Sequence, residues 1–348
     1  MTFKRAAGIE RAFLNAPMSE AATPALVAAV SEAGGLGVIP AAELTPDEIR
    51  SFAEAVRTRT AKPFAVNLTV PARRAAELSD FTVFADAISP LLADLGLPDE
   101  NFETHYDLTG KKRPDFYAQF DAAIQVCPAA LISSFGGFRE PEADRLAEAG
   151  ILNVGTATTL REAKVLRAAG CQALIVQGAE AAGPRLAFED ADDSLIGLMS
   201  LVPAAVKATG LPVLAAGGVA VPEQAEALKA LGAAGVVVGT ALLATEESGA
   251  SDVLRYYAQH GTAADTTLTR IFTGCLARVV KNGLVEALED YEKLTAQWPG
   301  QRELMEPLCK KAQALGRHDL LMLPIGQSAG RACWRRTADA LAALSAPF

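Results

Sequence analysis

Cysteine and histidine are scarce in this chain, with five and three copies among 348 residues. The cysteines stand at 127, 171, 275, 309 and 333, so no C-x-x-C pair exists for zinc or dithiol chemistry. Dispersed thiols of this kind read as buried or incidental groups in a reducing compartment. His105, His260 and His318 are equally scattered, and no metal site can be assembled from sequence neighbours. A strongly basic stretch is also missing. Thirty-two lysines and arginines against 41 acidic residues leave a formal charge of −9. That balance argues against a nucleic-acid or anionic-membrane partner, since both need a positive surface. The longest nearly apolar run, 233–244, is far shorter than the roughly 18 residues a membrane-spanning helix requires. The start, MTFKRAAGIERAF, is charged and has no apolar h-region, so no secretory signal is expected and the cytoplasm is the default location.

What the chain does have is a repeated unit: an alanine-rich helical stretch, a glycine that stops it, then a short β-branched run. SEAGGLGVIPA (31–41), LAEAGILNVGTAT (146–158), LRAAGCQALIVQG (166–178), VKATGLPVLAAGG (206–218) and LKALGAAGVVVGT (228–240) all follow it. Glycine there supplies the left-handed residue that ends a helix. Gly150 and Gly170 lie 20 residues apart and Gly210 and Gly232 lie 22 apart, about one strand, one helix and two tight loops. Helix starts are explicit as well. Thr45-Pro46-Asp47-Glu48 has capping-box order, Thr159 with Glu162 repeats it, and Thr23-Pro24 opens a third helix.

The strands between are almost wholly apolar, as in Ala173 to Val176 and Gly235 to Val238, which is the pattern of a parallel sheet buried on both faces. Eight candidates are found: 13–17, 36–40, 64–70, 130–135, 151–156, 173–177, 212–216 and 235–239. Eight parallel strands with intervening helices predict a closed (β/α)8 barrel, with a doubly wound open sheet as the alternative. The barrel is expected over residues 1–263, with an excursion at about 71–126. Beyond about 245 the strand signal stops, so 264–348 is read as a mainly helical appendage packed over the barrel mouth. Alanine-rich helix faces suit packing within the shell or between subunits, which leaves a homo-oligomer open.

In such a barrel the chemistry sits on loops at the C-terminal ends of the strands. Those residues are Ala16-Pro17-Met18, Asn67, Ser133-Ser134, Gly155-Thr156, Gln177-Gly178, Ala216-Gly217-Gly218 and Gly239-Thr240. Glycines after the seventh and eighth strands either make tight turns or let backbone N–H groups approach an anion, for which a phosphate is the natural candidate. Asn67 and Gln177 either satisfy buried backbone or grip the polar edge of a flat heterocycle.

APMSEAATPALVAAVSEAGGLGVIPAA (16–42), PFAVNL (63–68), VGTATTLREA (154–163), VQGAEAAGPR (176–185), LAAGGVA (214–220), VVVGTALLATEESGAS (236–251), FTGCLAR (272–278) and IGQSAGRA (325–332) together resemble the nitronate monooxygenase family, formerly 2-nitropropane dioxygenases. The likeness is strongest to its bacterial class I branch and runs from about residue 10 to about 335. It implies a TIM barrel holding non-covalent FMN, with a small-molecule substrate and O2 as acceptor. Carried over by motif, Ala16, Pro17 and Met18 line the flavin ring, while Asn67 and Gln177 bind its polar edge. Gly183 and Ala216 are cofactor-binding positions as well. Gly217, Gly218, Gly239 and Thr240 hold the phosphate, and Gly326 with Gln327 closes the site from the appendage. No metal is implied.

One departure stands out. Where the resemblance has glycine-glycine-histidine-arginine, this chain has Ala182-Gly183-Pro184-Arg185, so the family's base is replaced by Pro184. Proline can neither take a proton nor donate a hydrogen bond. Oxidation of an anionic nitronate survives that change, and turnover of neutral nitroalkanes is expected to suffer. Arg185 is either a partner for an anionic substrate or second phosphate or an exposed helix-start arginine without a role, and His105 is a candidate replacement base. Two other readings stay open: an NAD(P)H-dependent quinone or enoyl-thioester reductase on the same barrel, and a flavin-binding protein without activity. No G-x-G-x-x-G follows a strand, which disfavours a Rossmann domain.

Overall fold

The computed structural model describes residues 2–71, 82–96, 114–189, 194–298 and 300–348. All eight apolar runs form strands: β1 (Phe13–Asn15), β2 (Gly37–Pro40), β3 (Phe64–Thr69), β4 (Ala130–Ser134), β5 (Leu152–Ala157), β6 (Ala173–Gln177), β8 (Val213–Ala216) and β9 (Gly235–Val238). A two-residue strand, β7 (Gly183–Pro184), falls between β6 and β8. The eight pair in parallel in the order β1-β9-β8-β6-β5-β4-β3-β2, so each barrel strand lies beside its predecessor, as in a (β/α)8 barrel.

The seam between β1 and β2 is held differently from the others. Its only backbone bridge is Leu14 with Leu36. Asn15 completes it with a side chain: Nδ2 donates to Val38 O at 3.0 Å and Oδ1 accepts from Val38 N at 2.8 Å. A primary amide mimics one rung of a ladder there, which explains a fully buried asparagine inside an apolar strand.

Helices follow the strands and start where the caps predict. Thr45 with Glu48 and Thr159 with Glu162 form reciprocal capping boxes, and Thr23 caps Pro24–Glu32. At the N-terminal end of the barrel, Phe3 and Ala7 join the inward side chains Leu14, Val38, Ala65 and Ile132 and plug that opening. No described helix is long and apolar enough to cross a membrane.

Two features differ from the sequence reading of residues 264–348. The last helix, Thr337–Ser345, packs between Pro24–Glu32 and Pro222–Ala230 and buries Ala340, Leu341 and Leu344 with Phe13 and Leu26. It is the eighth helix of the barrel wall rather than part of a cover, because its apolar face fills the gap the other helices leave. Residues 264–336 also contain a hairpin, β10 (Thr266–Thr269) and β11 (Ala277–Val280), where no strand was expected. The threonine-rich β10 is half-buried and Arg278 interrupts β11, so neither strand carries the apolar signature of the barrel. Within the excursion after β3, Phe84, Ile88 and Leu92 share a second core with Ile271, Val279, Leu304 and Leu308 from the segment after β9.

Candidate active site at the barrel mouth

Strand side chains alternate between the barrel interior and the helical shell. Leu14, Ala65, Ile132, Val154, Ile175, Leu214 and Val237 belong to the interior core. Two residues further along each strand, the same inward register reaches Ala16, Asn67, Ser134, Thr156, Gln177, Ala216 and Gly239. All seven were picked out from sequence, and they therefore share one layer at the C-terminal mouth. Pro17 is exposed and Met18 is half-buried. A Cβ on Gly239 would lie 3.4 Å from Ala16 Cβ and 3.6 Å from Met18 Sδ, so these positions adjoin.

The glycines after β8 and β9 stand in turns that follow two adjacent strands. Gly217 and Gly218 take φ of +129° and +64°, which side chains rarely adopt. A Cβ at Gly217 would meet Ala181 N at 3.0 Å, and one at Gly218 would meet Glu180 Cβ at 3.1 Å. The N–H groups of Gly218, Gly239 and Thr240 have no acceptor among the described residues. Thr240 Oγ1 accepts from Gly326 N at 3.0 Å, and Gln327 N donates to Glu180 O at 3.0 Å. Gly326 and Gln327 thus fasten the segment after β9 across the loops that follow β6 and β9. Gly326 must be small, because a Cβ would sit 2.9 Å from Glu180 O.

The loop after β6 is stitched at every turn. Gln177 Nε2 donates to Pro184 O at 2.9 Å and its Oε1 accepts from Leu186 N at 2.9 Å, so this amide is engaged by its own loop. Arg185 is 2% exposed, and its guanidinium donates to the carbonyls of Gln177 and Gly178. It is neither exposed nor at a helix start, contrary to one of the two sequence alternatives. Pro184 pairs with Ala277 of β11, and Arg185 N donates to Leu276 O at 2.7 Å. β7 has a partner on one side only, so a residue without an N–H costs the sheet nothing there.

Several contributors carried no sequence signal. Arg278 donates from Nε to Ala179 O and from Nη1 to Thr266 Oγ1. Burial lowers its pKa, and Arg185 pushes it the same way while Glu180 opposes. Fully buried Glu162 accepts from Thr158 N, Thr159 N, Phe188 N and Glu189 N, tying the far end of the loop to its own helix. A residue so engaged cannot be found by motif, although its capping box was legible. Asn67 Nδ2 donates to Ser134 Oγ at 2.9 Å and to Ile132 O, while its Oδ1 has no partner among the described residues. His105 lies outside the described residues. No group of three metal-ligating side chains occurs among those described.

With its strand-end loops gathered at the C-terminal mouth, the fold is that of a (β/α)8-barrel enzyme, a class that carries its site on that face. The nitronate monooxygenase family model matches residues 2–342, and the chain belongs to that family. A probable nitronate monooxygenase of Staphylococcus aureus (strain JH9) is 34% identical over 330 residues, covering 92% of this chain and 89% of the relative. The crystal structure of a nitroalkane oxidase from Streptomyces ansochromogenes superposes with a TM-score of 0.87 at 32% identity, over 97% of this chain and 96% of that one. FabK from Thermotoga maritima, at 24% identity and a TM-score of 0.75 over 99% and 94% of the two chains, shares the fold. The chain is accordingly an oxidoreductase of a flavin-dependent family.

Proposed function

We propose that this chain is an FMN-dependent enzyme that oxidises a small anionic nitronate, with O2 as the final acceptor. The observation that carries this reading is Pro184, seated in the closed loop at the mouth where the family resemblance has its base. The residues present suit FMN. Three N–H groups on adjacent turns lack acceptors among the described residues, Gly217 and Gly218 hold left-handed turns there, and Thr240 Oγ1 accepts from Gly326, which leaves its hydroxyl hydrogen to donate. Bound there, FMN would supply the redox chemistry between substrate and O2.

The chain's own residues divide the remaining work. Gly218, Gly239 and Thr240 hold the phosphate, Gly217 keeps the approach open, and Ala16, Pro17 and Met18 line the ring. Asn67 offers Oδ1 to its polar edge. Gln177 contributes through the loop it organises. Pro184 moves no proton, so a neutral nitroalkane forfeits the roughly 10²- to 10⁴-fold that a positioned base contributes to α-proton removal. A nitronate has already shed that proton. Arg185 and Arg278, both buried, outnumber the nearby Glu180 carboxylate, and their surplus charge favours an anion at the loop.

Anaerobic titration of the FMN-loaded protein tests this reading. Bleaching of the flavin band by ethylnitronate is expected, with nitroethane and NADH ineffective on the same timescale. Bleaching by NADH alone would instead identify the reductase, and no bleaching by any of the three would identify a flavin protein without this activity.

A further inference from the structure

Phe135 follows Ser134, the last residue of β4, and its backbone is left-handed at φ +60°. Bulky residues avoid that conformation by about 1 kcal/mol or more, and such strain gathers at functional sites. Two glycines come next, Gly136 and Gly137, and either would take the turn without cost. The chain nonetheless keeps an aromatic side chain at the strained position, so the ring itself is what the position requires.

The ring is half-buried and nearly parallel to Trp298, with centroids 6.0 Å apart and planes 12° apart. Arg302 lies over the other ring of this column, 5.7 Å from the Trp298 centroid, and pairs in turn with Glu43 in the loop after β2. Loops from two strand ends and the segment after β9 therefore converge on one aromatic column at the mouth. In the strand order, β3 and β4 stand across the barrel from β8 and β9. The column occupies the side of the mouth that the glycine turns leave unused. Flat apolar surface at a mouth that also carries an anion-favouring loop suits a ligand with one charged end and one aryl or extended apolar end.

We propose that Phe135 and Trp298 form the subsite for the organic part of the substrate, and that the preferred substrates are anions bearing an aryl or extended apolar group. The assignment deepens the nitronate reading and rests on it for the identity of the charged end. Isothermal titration of the FMN-loaded protein with phenylacetate and acetate, two unreactive planar anions, reads the subsite without turnover. Phenylacetate is expected to bind about tenfold more tightly than acetate, the order of one good aromatic contact. Phe135→Gly is expected to erase that preference, keep acetate affinity, and leave the melting temperature unchanged or higher because glycine adopts the turn freely. Trp298→Leu should weaken the preference in the same direction.

A Phe135 that is only structural gives the reverse pattern, a lower melting temperature with the preference intact, and that result would overturn the proposal. Equal affinity of the parent protein for the two anions, or no measurable binding of phenylacetate, would overturn it as well. Because the titration needs no turnover, a protein that shows the phenylacetate preference yet leaves nitronates untouched would refute the proposed function and retain the subsite.

Discussion

Replacing Arg185 by methionine removes a buried guanidinium while keeping most of the side-chain volume. Two carbonyls at the end of β6, Gln177 O and Gly178 O, then lose a charged donor inside the protein. Gly178 O keeps a second donor, Ala181 N at 3.1 Å, so the larger penalty falls on Gln177 O. An unsatisfied buried carbonyl costs about 1–3 kcal/mol, and loss of a charge-assisted bond at the other site brings the total to roughly 2–5 kcal/mol. For a chain of this size that corresponds to a drop in melting temperature of roughly 4–10 °C. Differential scanning calorimetry of the FMN-loaded and FMN-free proteins reads it directly, and the drop should appear in both. Arg185→Lys should fall between, since one nitrogen, Nη1, serves both carbonyls and an ammonium carries it at the end of a shorter stem. A melting temperature within about 1 °C of the parent, combined with a collapse in anion affinity, would refute the structural tie and restore Arg185 as a direct ligand for the substrate.

Pro184→His should give neutral nitroethane a reductive half-reaction at least tenfold faster than in the parent, because the register with Ala277 carries the new imidazole into the mouth loop without breaking a hydrogen bond; stopped-flow absorbance checks this. Gly218→Ala puts a Cβ at φ +64° and 3.1 Å from Glu180 Cβ, so FMN affinity measured by flavin fluorescence should fall about 10- to 100-fold, the order of one charge-assisted bond lost. Burial raises the Cys171 thiol from its ordinary 9.0 to about 12 and the Cys309 thiol to about 11. The unfolded chain ionises these thiols first, so their contribution to stability is whole below about pH 9 and fades as pH climbs toward the folded values. Melting temperature should fall across that window, and iodoacetamide at about pH 8 should label exposed Cys127 and Cys333 while sparing Cys171.

The parallel strands were legible because strands covered on both faces must be apolar, as Ala173 to Val176 is, and their number, eight, favoured the closed barrel over a doubly wound open sheet. Strand ends were legible for the same reason, and they carried Ala16, Asn67, Gln177, Ala216 and Gly239 into one layer. Features made by polar side chains were not. Asn15 replaces a missing ladder rung at the β1–β2 seam, yet in sequence it is a lone asparagine after two apolar residues. The β10–β11 hairpin escapes because Thr266 to Thr269 face half toward solvent and Arg278 reaches across to Ala179 O, so neither strand alternates or runs apolar. Thr337–Ser345 reads as one more helix after many, and only its packing against Phe13 and Leu26 shows that it closes the wall. The Gln177 amide illustrates the limit at the site itself. Its position was predicted, but its partners, Pro184 O and Leu186 N, are backbone atoms that a pattern of residue types does not reveal.

The central claim is that the mouth accepts electrons from a substrate that has already lost its proton. Anaerobic stopped-flow reduction of the FMN-loaded protein by ethylnitronate and by nitroethane, at equal concentration and pH, measures it most directly. A nitronate rate at least 10²-fold above the nitroalkane rate is predicted, reflecting the base that Pro184 cannot supply. Comparable rates for the two would contradict the account.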